Sequence, residues 1–513
     1  MRFCILKRRS IAAFRFAPIL LLTVSFLLTS CGKNFFFAGR DLPPSGLLNR
    51  VLIAEQNPSA LSQGALPFVD AFYDIRHPFN SSTGSFSISG YSGKLPVTIQ
   101  NMPEEQIGAV YGEGDGSFVT VNYATEKIGT PITIPGGLSS SIFIDRPRKY
   151  VYAANPASHV ISVVDLTAGK SYQLYLPNAY WVSVNPGGTL AMVFVQNSTQ
   201  AANVQTCNAN PAISCSTPNG QYSVYSVVHL TAAQQTAAAN NPYYQGAQDC
   251  EPQNLPQFCL FPVSTGASAT FDHPVKAVFS PDGSTAYVLN CGPECGGTTA
   301  SLAVIPITTS SLNPNTVGAS GIALVAQSNV PIPGGATNAI FNGNTMYVAG
   351  QCLDGQACIP GQAPPQPSDG LLAGYLTVLN TPTNQITGAF PISDGSHTKM
   401  VFADDNTLWV GATQCESGPR YKAAQAGASL QYGCLTMFNT SNNSVLIDAY
   451  KGDATGIAAV TGLTKVYTAE GGQVYIYNTT DGSERDNSNV TVAGTVADVA
   501  YMDATSDGDN TDY

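Results

Sequence analysis

The feature that most constrains this chain is a strand unit that recurs along nearly its whole length. Its clearest copy reads Ser141-Ile-Phe-Ile-Asp, a turn, Lys149-Tyr-Val-Tyr-Ala-Ala-Asn, a turn, Val160-Ile-Ser-Val-Val-Asp-Leu, Thr-Ala-Gly-Lys, then Ser171-Tyr-Gln-Leu-Tyr-Leu. β-Branched and aromatic runs broken by Asn, Gly, Pro and Asp spell four short strands joined by tight turns. The second strand returns at Arg50, Ile107, Leu190, Thr285, Thr345, Thr407 and Lys465, which makes eight copies. The first strand returns as Pro96-Val-Thr-Ile, Trp181-Val-Ser-Val, Val275-Lys-Ala-Val-Phe, Thr337-Asn-Ala-Ile-Phe, Thr398-Lys-Met-Val-Phe and Thr455-Gly-Ile-Ala-Ala-Val. The unit at Arg50 has no such strand before it, and a spare copy, Ala497-Asp-Val-Ala-Tyr-Met, stands near the C-terminus.

A unit that cannot bury both of its faces must stack on its neighbours. The repeat therefore predicts an all-β chain with a single β-propeller over residues 49–503, its blades four-stranded and antiparallel. The blades number eight by count, with seven as the alternative. The C-terminal strand is expected to complete the first blade, leaving no open sheet edge.

The spacing of second strands runs from about 41 to 62 residues, with one gap of 95. The extra length falls at 197–220, 291–300, 351–373 and 413–433, each between a second and a third strand. In an antiparallel meander those loops emerge on one face of the disc. Ten cysteines of the body form five sequential pairs: Cys207–Cys215, Cys250–Cys259, Cys291–Cys295, Cys352–Cys358 and Cys415–Cys434. All but Cys250–Cys259 sit in those insertions. An even, locally clustered count predicts disulfides in an oxidising compartment. Cys250 and Cys259 follow Thr231-Ala-Ala-Gln234, a candidate capping box for a short helix.

The unit resembles the YVTN family of β-propeller repeats. Tyr152-Ala-Ala-Asn155 with Val160-Ile-Ser-Val-Val-Asp165 carries the likeness, as does Val278-Phe-Ser-Pro-Asp-Gly283 with Ala286-Tyr-Val-Leu-Asn290. The likeness runs over residues 49 to 503 and is specific in two or three units. Members of that family commonly have seven blades.

The N-terminus is built differently. Arg2, Lys7, Arg8, Arg9 and Arg15 precede an apolar run, Phe16 to Ser30. That run is shorter than the roughly 20 residues a membrane-spanning helix needs, and it has the proportions of a signal-peptide core. Leu28-Thr29-Ser30-Cys31 resembles the lipobox of bacterial lipoproteins. The resemblance implies cleavage after residue 30, a diacylglyceryl group on the Cys31 thiol, and a firm anchor from several acyl chains. Residues 1–30 read as the signal peptide, 31–48 as lipidated Cys31 and tether, and 504–513 as a disordered acidic tail. The expected address is the bacterial cell envelope.

Chemistry is sparse. His77, His159, His229, His273 and His397 show no ligand spacing, and no His-Glu-x-x-His, nucleophile elbow or P-loop occurs. No catalytic residue, metal site or cofactor is expected. Trp181 and Trp409 read as core aromatics rather than stacking platforms. The net charge of −11 argues against nucleic acid as a partner. The expected partners are the membrane, through the lipid on Cys31, and an unknown protein or glycan ligand. Three functions fit: a binding or scaffold module acting through the stapled loops, an enzyme resembling propeller lactonases, and a structural or adhesive envelope protein. The enzyme reading would need acidic residues at the central channel, where Asp145, Asp282, Asp404 and Asp498 are the candidates. Each also reads as a turn residue.

Overall fold

The computed structural model describes residues 40–57, 59, 62–78, 84–198, 221–239, 247–252, 254–308, 324–353, 358, 370–485 and 490–505. The signal peptide, Cys31, the start of the tether, the pair Cys207–Cys215 and residues 506–513 lie outside these.

The sheets form a β-propeller of eight antiparallel blades. Blade 3 is the simplest, with strands Ser141–Ile144, Tyr150–Asn155, Val160–Asp165 and Lys170–Tyr175 paired in sequence order from the axis outwards. The inner strands of the other blades are Thr495–Tyr501 in blade 1, Pro96–Met102 in blade 2, Ala179–Val184 in blade 4 and Pro274–Phe279 in blade 5. Blades 6, 7 and 8 contribute Asn338–Asn342, Ser396–Ala403 and Ala454–Val460. In blades 1 and 8 the fourth strand is reduced to bridges, Pro67 with Ser87 and Tyr477 with Glu484.

Second strands are apolar at consecutive positions because both faces are buried. In blade 1, Val51 and Ile53 pack towards blade 8, and Leu52 and Ala54 towards blade 2. In blade 3, Val151 and Ala153 pack towards blade 2, and Tyr152 and Ala154 towards blade 4. The pattern repeats around the disc and gives eight separate apolar clusters, one for each gap between blades. An open fan of eight blades would leave one gap unfilled, so the clusters themselves describe a closed ring.

Closure is made where the spare strand predicts it. Thr495–Tyr501 pairs antiparallel with Arg50–Gln56, with Val51 opposite Tyr501 and Ala54 opposite Asp498. Just past that strand, Asp503 Oδ2 accepts from Arg50 Nε at 2.9 Å and from the Arg50 backbone N–H at 2.8 Å. Ala504 is buried, and its carbonyl accepts from Arg40 Nη1 at 2.8 Å.

The 95-residue gap belongs to blade 4. Its third strand, Gln221–His229, leads into a helix, Ala232–Ala239, and an added outer strand, Asp249–Glu251, before the fourth strand, Phe258–Pro262. The capping box is formed: Thr231 donates its backbone N–H to Gln234 Oε1 at 2.8 Å, and the Gln234 N–H returns to Thr231 Oγ1 at 3.4 Å. This insertion joins the third and fourth strands, so it leaves the disc on the face opposite the second-to-third connections of blades 5, 6 and 7. Cys250 and Cys259 are direct cross-strand neighbours there and are bonded. The disulfides Cys291–Cys295, Cys352–Cys358 and Cys415–Cys434 staple the second-to-third connections of three consecutive blades, 5, 6 and 7.

Candidate functional site

Each inner strand presents one residue at the same register, opposite the fifth residue of its second strand. Going round from blade 1 these are Asp498, Thr98, Ser141, Trp181, Lys276, Asn338, Lys399 and Gly456. Their partners are Ala54, Tyr111, Ala154, Phe194, Leu289, Ala349, Gly411 and Ala469. In six blades a bulge immediately precedes the position and re-aims the side chain. The eight residues form a ring around the axis, beside a cavity of about 420 Å³.

Neighbours on the ring are bonded to one another. Lys276 Nζ donates to Asn338 Oδ1 at 2.7 Å and stands 6.0 Å from the Trp181 ring centre. Lys399 Nζ reaches Asp498 Oδ2 at 3.2 Å, past blade 8. Blade 8 permits this because its ring residue is Gly456: a Cβ there would stand 2.6 Å from Asp498 Oδ1. Asp498 Oδ2 also accepts from the Ile99 N–H at 2.8 Å and from Thr98 Oγ1 at 3.4 Å.

The ring has a structural duty as well. The inner edge of a blade carries backbone groups with no further strand to pair with. Side chains of the preceding blade answer several of them. Asp498 takes Ile99 N–H, Gln100 takes Ile144 N–H at 2.7 Å, Ser141 takes Val182 N–H at 3.2 Å, and Ser183 takes Ala277 N–H at 3.2 Å.

Of the four candidate aspartates only Asp498 reaches the channel. Asp145 Oδ1 accepts the Lys149 and Tyr150 N–H groups at 2.7 and 3.1 Å. Asp282 is held by Ser280 and Ser284 in an exposed turn. Asp404 Oδ2 accepts Gly462 and Thr464 N–H at 2.8 and 2.9 Å, tying blade 7 to blade 8. All three lie at first-to-second turns, on the face away from the stapled loops, so the carboxylates do not converge. Trp409 is a core residue between blades 7 and 8, its Nε1 donating to Thr407 Oγ1 at 3.1 Å. Trp181 differs: it packs on the blade 4–5 core and also lines the cavity. His397 is buried and bonds the Ser393 carbonyl through Nε2 at 2.9 Å; burial pushes it down to about 4, so it is a neutral structural imidazole. His159 occupies the tight second-to-third turn of blade 3 with φ of 60°. Among the described residues no group of His, Cys, Asp and Glu is arranged to hold a metal ion.

Lys276 and Lys399 were legible as candidates only through the repeat. In Val275-Lys-Ala-Val-Phe and Thr398-Lys-Met-Val-Phe a lysine interrupts an otherwise apolar inner strand at one and the same position. A charge at a matched position of two repeats is the signal for a shared axial ring.

On the stapled face a recess of about 1030 Å³ opens beside the channel mouth. Its lining includes Gln414, Glu416 and Ser417 of the Cys415–Cys434 loop together with Gln56, Tyr450 and Asp453. Tyr421, Tyr432 and Tyr450 form a row at this loop, with ring centres 5.1 and 5.5 Å apart.

Two carboxyls, one on a half-buried and one on a buried residue, flank these features. Glu294, in the Cys291–Cys295 loop, accepts from Gln351 N–H at 2.8 Å and Gln351 Nε2 at 3.2 Å. Glu470, in blade 8, accepts from Thr468 Oγ1 at 2.6 Å and Tyr477 OH at 2.8 Å. Burial outweighs these bonds and pushes each carboxyl up to about 7. A folded-state value above the unfolded one means stability that is fully present below about pH 4.5 and lost as the pH rises through about 7. Glu294→Gln and Glu470→Gln should therefore each raise stability at pH 8 relative to wild type, by up to about 3 kcal/mol, with no gain at pH 4. Urea titrations at both pH values read the difference; a gain that is equal at the two would refute the assignment.

The fold and its axial ring define a β-propeller with a polar girdle in its channel. No protein-family model matches the chain, and no curated protein does. Its structure is similar to those of a dihydro-heme d1 dehydrogenase, NirN, in complex with DHE (10% identity, covering 90% of this chain and 78% of that one, TM-score 0.47). It is also similar to AztD of Citrobacter koseri (10% identity, 88% and 97% covered, TM-score 0.44) and to hydrazine synthase of Kuenenia stuttgartiensis (12% identity, 79% and 100% covered, TM-score 0.43). Among the described residues no helix is long and apolar enough to cross a membrane.

Proposed function

We propose that this protein is an exported, envelope-anchored lipoprotein of the YVTN-repeat type. Its propeller acts as a non-enzymatic binding or scaffold module, and it engages a protein or glycan ligand through the stapled loops of one face. The observation that carries this reading is the run of disulfides Cys291–Cys295, Cys352–Cys358 and Cys415–Cys434 on consecutive blades of a single face. None of them joins distant blades, so their effect is local: they hold long loops in shape before a partner arrives and reduce the ordering entropy lost on binding. The recess beside the Cys415–Cys434 loop offers aromatic rings, amides and carboxylates together.

Two measurements test the two halves of the reading. Cys31→Ser should abolish fatty-acid labelling and leave unprocessed precursor; continued labelling of the mutant would end the lipoprotein reading. For the binding half, a glycan array and a panel of purified envelope proteins are probed with the wild type and with a variant whose residues 416–433 are replaced by a short Gly-Ser turn, with Cys415 and Cys434 both changed to Ser. Binding should fall at least about tenfold in the variant while its melting temperature changes by no more than a few degrees. Ligands bound equally by both proteins would place recognition elsewhere.

A further inference from the structure

The geometry points to a second site, inside the channel: the axial ring binds a small organic carboxylate with an apolar body. It is distinct from the stapled face and does not depend on what that face binds. Three consecutive blades supply an arc of hydrogen-bond donors at one level: Lys276 of blade 5, Asn338 of blade 6 and Lys399 of blade 7. Lys276 and Lys399 both line the cavity. Asn338 is only 2% exposed, and its Oδ1 is already occupied by Lys276 Nζ and by the Ala339 N–H at 3.0 Å. Its Nδ2 is buried and has no acceptor in the structure. A buried amide donor left without an acceptor is costly.

Two ammonium groups that line one cavity form a receptor for an anion, with the buried Asn338 amide behind Lys276. The only acid on the ring, Asp498, is engaged by Lys399, Ile99 N–H and Thr98. The wall also carries the acid Glu113 and the hydroxyls of Ser139, Ser140 and Ser141, and its apolar part selects what the anion is attached to. Ile99, Ile142, Phe143, Val401, Ile457 and Val499 are apolar, and a volume of about 420 Å³ lies in the range of small-molecule sites. A carboxylate placed against the arc would turn its hydrocarbon part onto these walls. Inorganic phosphate would gain nothing from them, and a neutral analogue would gain nothing from the lysines.

The chain carries its own reporter. It has two tryptophans, one on the ring and one buried between blades 7 and 8. Full-length protein in detergent is titrated with benzoate, benzyl alcohol or inorganic phosphate while tryptophan fluorescence is followed. Benzoate should give a saturable change, with the alcohol and phosphate at least about tenfold weaker. Lys276→Met should weaken benzoate about tenfold or more, while Lys276→Arg, which keeps the charge, stays within a few-fold. Lys170→Met, an exposed control, should change nothing. Asp498→Asn, which removes the ring's negative charge, should tighten benzoate several-fold. A merely structural role for the ring would move both charge variants in the same direction. That outcome, no saturable change in the folded wild type, or equal binding of benzoate and benzyl alcohol would overturn the proposal. If Lys276→Met fails to fold, Asp498→Asn decides it against wild type: tighter benzoate binding supports the proposal, and weaker or unchanged binding overturns it.

Discussion

Deletion of residues 495–513 should abolish cooperative folding of the disc, whereas deletion of residues 506–513 should leave its thermal midpoint within about 2 °C of wild type. The longer deletion removes the whole inner strand of blade 1. Val496, Val499, Tyr501 and Met502 are all buried, and each such side chain contributes about 1.5–3 kcal/mol through burial. The sum rivals the entire stability of an ordinary domain, about 5–15 kcal/mol. Further losses are specific to the ring. Arg50–Gln56 would become an unpaired inner edge. Asp498 would no longer meet Lys399 or the Ile99 N–H, and Arg50 would lose Asp503. The two apolar clusters on either side of blade 1 would open together, because residues of this strand serve both. The shorter deletion takes only Ser506 to Tyr513, a polar, acidic stretch with no apolar run. Circular dichroism melts and urea titrations of both truncations compare them directly. Equal stability would mean that the disc is held closed by something other than this strand.

How much of this was legible beforehand follows from what repetition encodes. Each copy of Tyr-Val-Tyr-Ala-Ala-Asn is one strand seen in a new setting, so eight weak local signals reinforced one another, and the missing first strand of the Arg50 unit announced its replacement at Ala497. The ring is written in the same alignment, since Lys276 and Lys399 occupy one register, a signal visible only when charges are matched across units. Asp145, Asp282 and Asp404 bear out the turn reading, and Asp498 alone the channel reading. An aspartate that follows an inner strand sits where its side chain can cap the next turn, one face away from the axis, whereas Asp498 lies within its strand. The buried ion pairs between blades were invisible for a different reason. Arg50, Glu126 and Asp503 are distant in sequence and meet only after the ring has closed.

That triad yields the second large effect. Arg50→Met should cost about 3–5 kcal/mol, far more than the loss of an exposed ion pair. Arg50 is 2% exposed. Its Nη1 donates to Glu126 Oε1 at 2.7 Å and to the Tyr123 carbonyl at 2.8 Å, while Nε and Nη2 hold the two oxygens of Asp503 at 2.9 and 2.5 Å. Methionine fills the space of the side-chain stem but takes the guanidinium away from both carboxylates, leaving Asp503 only the more distant charge of Arg40. Burial already holds the Asp503 carboxyl above its ordinary value against the pull of Arg50, and without Arg50 it rises further. The penalty should be large at pH 7.5 and shrink as the pH falls towards 4 and Asp503 takes up a proton. Adding Asp503→Asn to Arg50→Met should return a good part of the loss at pH 7.5, although Asp503→Asn in the wild-type background is itself destabilising. Such a reversal of sign is what a double-mutant cycle detects when two groups act on each other. Urea titrations of the four proteins at both pH values measure it. If Asp503→Asn costs the same in the two backgrounds, the clasp between the Arg50–Gln56 strand and the turn after Thr495–Tyr501 is not electrostatic, and the ring is closed by backbone pairing and apolar packing alone.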